Sequence, residues 1–181
     1  GFPIWEGYCR IVRGWAVVQD GHPEGMAELD AGLAGWHAMG ARIWLPYFLG
    51  LKAEASLALR RFDDARSALD EAEAVAAATG ERLDAAYFVM VRGRVKLAAG
   101  DAPGGEAELR GALAMAEAMD ARAWRLRSAI ALAGQLAGEG RGGEARAVLE
   151  PALAAMPAEV DGPDRHAARD LLAGLPTVAG P

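Results

Sequence analysis

Small and apolar residues recur along this chain in columns that keep their phase from one end to the other. Steps of 40 residues back from Ala145 reach Gly105, Ala65 and Gly25; from Leu149 they reach Leu109, Leu69 and Leu29; from Ala152, Ala112, Ala72 and Gly32. The columns stand four and then three residues apart, the spacing that lines side chains along one helix face. A fixed period of this length marks stacked units, each burying its apolar face on the next.

The spacing predicts helices over 5–18 (stripe Tyr8, Ile11, Val12, Trp15, Val18), 24–39, 43–59, 65–79, 83–99, 106–119, 123–137 and 143–156. A short closing helix is expected over 165–172, with Ala168, Leu171 and Leu172 turned inward. Breakers separate them: Asp20-Gly21-His22-Pro23, Arg60-Arg61-Phe62-Asp63, Gly100 to Gly104, and Gly138 to Gly142. Gly40 and Gly80 stand where left-handed helix ends favour glycine, and Asp120 takes the third such place. Pro46 suits a first helical turn, and Asp63 or Asp64 suits the start of the fourth helix by capping and dipole. Pro151 predicts a kink within the eighth helix, and Pro157 its end. The expected architecture is all-α: a right-handed superhelix of antiparallel helical hairpins, with units 2–41, 42–81, 82–121 and 122–160. Helix 163–174 closes a single domain 1–174, and 175–181 is a patternless tail.

The segment Gly140-Arg141-x-x-Glu144-Ala145-x-x-x-Leu149-x-x-Ala152 resembles the turn and second helix of tetratricopeptide (TPR) repeats. Gly93, Ala133 and Ala53 fall where that family's first helix carries a small residue; Arg13 does not, and Gly14 substitutes with a one-residue shift. The 40-residue period exceeds the usual 34, adding ~9 Å of helix rise per hairpin. This long form, with Arg13 to Ala16, Pro46 to Leu49, Gly80-Glu81-Arg82, Arg92-Gly93-Arg94, Asp161 to Asp164 and Leu171-Leu172, resembles the C-terminal repeat region of certain bacterial regulators. Those proteins carry a class III adenylate or guanylate cyclase, or a transcription-factor domain, followed by a predicted STAND-type ATPase. Lys52 and Arg92 depart from the pattern, standing where a large apolar residue is usual. The resemblance implies a regulatory role in signal transduction, with chemistry elsewhere in the parent protein. It also implies a concave groove lined by the first helix of each pair, which places Arg10, Tyr47, Glu54, Tyr87, Met90, Arg94 and Arg127 at the ligand-facing positions.

Charge narrows the partners. A net charge of −6 without a run of Lys or Arg opposes binding to a phosphate backbone, so nucleic acid is not expected. No apolar run reaches the ~20 residues of a membrane span, and no signal-peptide pattern opens the chain. The lone Cys9 cannot form an intrachain disulfide and is expected in the core of a cytoplasmic protein. A start without Met, directly in a helical pattern, suggests a piece of a longer chain.

Candidate chemistry is sparse. Gly138-x-Gly140-x-x-Gly143 matches a dinucleotide fingerprint as a string, but a helix, not a strand, precedes it. His22, His37 and His166 share no metal-ligand spacing. Ser56, Ser67 and Ser128 fall within helices, without a nucleophile–base arrangement. The segment is therefore read as non-catalytic, with no cofactor or metal. Arg42, Arg82 and Arg122 recur just after the inter-unit turns; they are read as covering helix C-termini, which cations complement, with an anion-binding row as the alternative. Phe48 and Phe88 are expected in the core. The leading expectation is an interaction module whose groove takes a protein or peptide, including other domains of the parent chain. A small-molecule sensor using Tyr47, Tyr87, Arg94 and Arg127 is second. Self-association as a homodimer through a flank bearing Trp5, Trp36 and Trp44 is third.

Overall fold

The computed structural model describes residues 3–176. Among them are nine α-helices and no strand: α1 (Pro3–Gln19), α2 (Gly25–Ala38), α3 (Leu45–Ala58), α4 (Phe62–Thr79), α5 (Ala85–Ala98), α6 (Ala102–Ala118), α7 (Arg122–Gly138), α8 (Gly142–Ala154) and α9 (Pro163–Gly174). The chain is all-α, as its periodicity predicts. Consecutive helices pack as pairs, α1 on α2 through α7 on α8. The odd-numbered helices also touch in sequence, α1 to α3, α5, α7 and finally α9, while each even-numbered helix leans on the next odd one. Side chains also bridge α2 to α4, through His37 and Glu71, and α6 to α8, through Arg110 and Glu144.

The three columns form the seam of each pair. Leu29, Leu69, Leu109 and Leu149 are all 0% exposed, and the small residues on either side are buried as well. Small residues are needed there because the helices nearly touch. A Cβ on Gly14 would stand 2.5 Å from the Leu29 nitrogen and 2.6 Å from the Gly25 oxygen. One on Gly93 would stand 2.9 Å from Leu109 Cγ.

Gly14 faces Leu29 as Gly93 faces Leu109, so α1 lies one residue out of the 40-residue phase. The cause is a shorter first turn. Left-handed residues in the turns inside each pair are Gly21, Arg60, Gly100 and Gly140, and the first stands four residues before its buried small partner, Gly25, where the others stand five before theirs. Positions in α1 therefore match those in α3 at a distance of 39 residues: Trp5 with Trp44, Tyr8 with Tyr47, Arg13 with Lys52, Trp15 with Glu54. Between the pairs, Gly40, Gly80 and Asp120 all have positive φ, at 65°, 76° and 48°, as the three matching helix ends predict.

The charges at apolar positions are satisfied by ion pairs to the neighbouring helix. Lys52 reaches back to Asp30 at 2.8 Å, and Arg92 reaches Glu73 at 2.7 Å and Asp70 at 3.3 Å. Each cation thus spans from an odd helix to the even helix before it. The next position is Leu132, wholly buried, so apolar contact and ion pairing serve as alternatives at one site.

Several boundaries differ from expectation. α6 begins at Ala102 rather than 106, because Pro103 is compatible with the first turn and Asp101 caps it, its Oδ1 accepting from the Gly104 nitrogen at 2.9 Å. α4 begins at Phe62, its capping position is Arg61, and Asp63 and Asp64 sit within its first turn, paired with Arg66 and Arg61 instead of capping. α8 runs through Pro151 and stops at Ala154, before Pro157. Leu175, assigned to the tail, is 6% exposed, and its carbonyl accepts from Arg146 Nη2 at 3.2 Å; 177–181 lie outside the described residues. Cys9 is exposed. It matches Phe48 at the 39-residue offset, and Phe48 is covered by Trp36 of the preceding helix, whereas no described helix precedes α1.

Candidate functional site

The odd-numbered helices place one lateral row of side chains. Glu54 and Arg94 occupy matching positions on α3 and α5, and Trp15 is the α1 member under the offset. The three are joined: Trp15 Nε1 donates to Glu54 Oε2 at 3.2 Å, and Arg94 Nη1 donates to Glu54 Oε1 at 2.7 Å. Glu54 is 8% exposed, and these donors satisfy both of its buried oxygens.

Beside this row opens a cavity of about 470 Å³, lined by residues of α1 (Trp15, Gln19), α3 (Glu54), α5 (Met90, Arg94), α7 (Arg127, Ile130, Ala131) and α9 (Pro163, Asp164, Ala167). Its volume lies in the range of small-molecule sites, roughly 300–1,000 Å³. Arg127 closes the α9 side. Its Nε donates to Asp164 Oδ2 at 2.7 Å, and its guanidinium lies 5.3 Å from the Trp124 ring centroid. Arg94 keeps Nε and Nη2, and Arg127 its two Nη groups, without protein acceptors among the described residues. The wall is thus mixed, with indole, thioether and aliphatic surface around two guanidinium groups and two carboxylates.

A chain of rings runs along the same layer. Trp5 and Trp44 both meet Tyr8, at 6.1 and 6.0 Å between centroids, and Tyr8 meets Phe48 at 5.7 Å. Tyr47 then meets Tyr87 at 5.9 Å, and Tyr87 stacks on Trp124 at 4.5 Å with 15° between planes. Trp5, Trp44 and Trp124 are matching positions, and the remaining member is Asp84. That carboxyl is 7% exposed and forms no ion pair among the described residues; burial, with the Glu81 charge adding to it, raises its pKa to about 6.

Of the seven residues expected at the groove, Glu54, Met90, Arg94 and Arg127 line this one cavity. Tyr47 is half-buried beside it, and burial raises its hydroxyl pKa. Tyr87 does not present a surface: it is wholly buried, its ring occupying space that Gly50 leaves by lacking a side chain. Its hydroxyl has no hydrogen-bond partner among the described residues, and burial, then the Glu54 charge, hold its pKa well above 10.0. Arg10 lies elsewhere. It pairs with Glu6 at 3.0 Å and lines a separate pocket with Gly7, Gly32 and Met39; under the α1 offset the residue matching Met90 is Ile11, which is wholly buried.

Trp15, Trp124 and Asp164 were not read from the sequence as site residues. The two tryptophans carried a signal, since both fall on columns once α1 is shifted by one. Asp164 carried none, because its place depends on α9 folding across the end of the layer.

Phe48 and Phe88 are buried as expected. Trp36 is buried too, while Trp5 and Trp44 are 55% and 40% exposed. Gly138 ends α7, Gly140 turns with φ 78°, and Gly142 and Gly143 open α8, so the glycine string belongs to a helix–turn–helix. Arg42, Arg82 and Arg122 are exposed, and Arg122 pairs with Asp120 at 3.4 Å. Among the described residues no three His, Cys, Asp or Glu side chains are placed to hold a metal, and no helix is long and apolar enough to cross a membrane. Compared with models of known families, with curated proteins and with solved structures, the chain matches none.

Proposed function

We propose that this chain is a non-catalytic regulatory module, a TPR-like solenoid of four 40-residue hairpin units and a closing helix, whose concave face binds a segment of a partner protein or of another domain in the same signalling protein. The observation that carries the reading is the convergence of Glu54, Met90, Arg94 and Arg127, from three odd-numbered helices, on one cavity that α9 borders. Arginines with uncommitted donors beside indole and thioether surface suit peptide carbonyls and carboxylates together with apolar side chains. The cavity's volume favours a second reading, a small-molecule sensor using the same wall. In the bacterial regulators that the sequence resembles, either event would be passed to an output domain.

The test uses the immobilised full chain beside an Arg94→Ala/Arg127→Ala double variant matched in melting temperature. A partner retained by the first and lost by the second is expected. Equal retention on both, or retention on neither, removes the protein-binding reading. A metabolite that raises the melting temperature of the unaltered chain with concentration, and leaves the double variant unmoved, would select the sensor instead.

A further inference from the structure

The interfaces between successive pairs are variations on one design, and the second has a piece missing. At the first, the Trp36 indole packs edge-on against Phe48 with centroids 4.9 Å apart, and its Nε1 donates to the Ile43 carbonyl at 3.2 Å. Trp36 is 0% exposed there. Forty residues on, Phe88 stands for Phe48 and Leu83 for Ile43, but Ala76 stands for Trp36. At the third interface both members are small, Ala116 and Ser128, and both are wholly buried. Truncation on both sides lets the helices close; truncation on one side leaves the phenylalanine holding them apart.

The second interface is accordingly hollow. A cavity of about 280 Å³ lies between α4, α5 and α6, lined by Glu73, Ala76, Phe88, Val89 and Met115, with Glu81 at its border. An apolar cavity of about 150 Å³ is enough to admit benzene, so this one has room for a bicyclic ring. Two further features match the first interface or add to it. The Leu83 carbonyl, which matches the Ile43 acceptor, receives no hydrogen bond among the described residues. Glu81 and the nearby Asp84 have no cationic partner among them either, although Glu73 is paired with Arg92.

We propose that the gap at Ala76 is a binding site for a small planar aromatic compound bearing an ammonium group, its ring lying where Trp36 lies one unit earlier and its charge meeting Glu81. Phe88 supplies the edge-on ring contact, the Leu83 carbonyl accepts a ring N–H, and Met115 covers the open side. The site is separate from the cavity lined by Glu54 and Arg127 and does not depend on what that cavity binds.

Tryptamine, indole and indole-3-acetate serve as probes of the full chain, by calorimetry and by the Met115 methyl resonance. Saturable binding is expected in the order tryptamine, indole, indole-3-acetate, with the methyl signal moving during titration. Ala76→Trp should abolish binding of all three without lowering the melting temperature. Glu81→Gln should bring tryptamine to the level of indole, a loss of roughly two- to fivefold for one exposed ion pair. Arg94→Ala/Arg127→Ala should leave all three affinities unchanged. No binding of tryptamine, binding that persists in Ala76→Trp, or equal affinity for the ammonium and carboxylate probes would overturn the proposal. If Ala76→Trp does not fold, a Met115 methyl signal unmoved by tryptamine in the unaltered chain overturns it equally.

Discussion

Replacing Gly14 by Ala tests the packing of the first pair and its one-residue offset together. An added Cβ meets backbone atoms of α2 at 2.5, 2.6 and 2.9 Å, so no rotamer change relieves it and α1 must move off α2. Overpacking of this kind costs about 1–3 kcal/mol, and the rigid backbone on both sides puts Gly14 in the upper part of that range. The gain in helix propensity on leaving glycine, about 1 kcal/mol, offsets part of it. The net loss of ~1–2 kcal/mol corresponds to a melting temperature lower by ~2–8 °C for a chain of this size. Two neighbours serve as controls. Arg13, three-quarters exposed, occupies the small-residue seam position if the 40-residue phase is taken without an offset, and Arg13→Ala should change stability by less than about 0.5 kcal/mol. Gly35 has open space where a Cβ would stand, so Gly35→Ala should raise the melting temperature by ~1–4 °C through propensity alone. Thermal unfolding followed by circular dichroism at 222 nm reads all three. A Gly14→Ala variant as stable as the parent, or an Arg13→Ala variant less stable than it, would refute the close approach of α1 and α2 and the offset with it.

Other perturbations follow from the charges. Asp84 is an ordinary carboxyl when unfolded and titrates at about 6 when folded, so its contribution to stability is fully present below about pH 4 and is lost as pH rises through 6. Each tenfold change in proton affinity is worth about 1.4 kcal/mol; the dipole at the start of α5 favours the charge, which leaves a loss of roughly 1–2 kcal/mol. Asp84→Asn should flatten urea-derived stability between pH 4 and 6.5 and be the more stable protein at pH 7. Glu106, bonded by Arg141 and Arg110, has its pKa lowered to about 2. In Arg141→Ala its carboxyl ¹³C resonance should titrate closer to the normal carboxylate range, and the acid limb of unfolding should move to higher pH. Arg92→Leu, which copies the side chain at Leu132, should change stability by no more than about 1 kcal/mol in either direction, because a partly exposed ion pair contributes little; a larger loss in chemical denaturation would show that the Asp70–Glu73–Arg92 group holds the second interface.

The fold was legible where one residue type answers one constraint. Leu29, Leu69, Leu109 and Leu149 had to be seam residues because nothing else in the chain repeats so strictly, and Asp120 could be read as a left-handed helix end because it stands in line with Gly40 and Gly80. Helix starts were harder. Pro103 signals either the end of a turn or the beginning of a helix, and only the Asp101 cap decides between them. The site was half legible: Glu54, Met90, Arg94 and Arg127 fall on the expected helix faces, and the same rule misplaces Arg10 because a one-residue deletion in a turn rotates α1 by about 100°. Tyr87 was hidden for another reason. Its burial depends on Gly50, a residue of a different helix whose importance is the side chain it lacks.

The proposed binding takes place in the cavity that α1, α3, α5, α7 and α9 share. A photo-crosslinking amino acid placed at Ala131, on its wall, tests this against the same group at Ala27, on the exposed face of α2. In cells that make the protein, the adduct should form from position 131, be absent from position 27, and disappear when Arg94 and Arg127 are both replaced by Ala. Equal adducts from the two positions, or an adduct from position 131 that survives the double replacement, would contradict binding in this cavity.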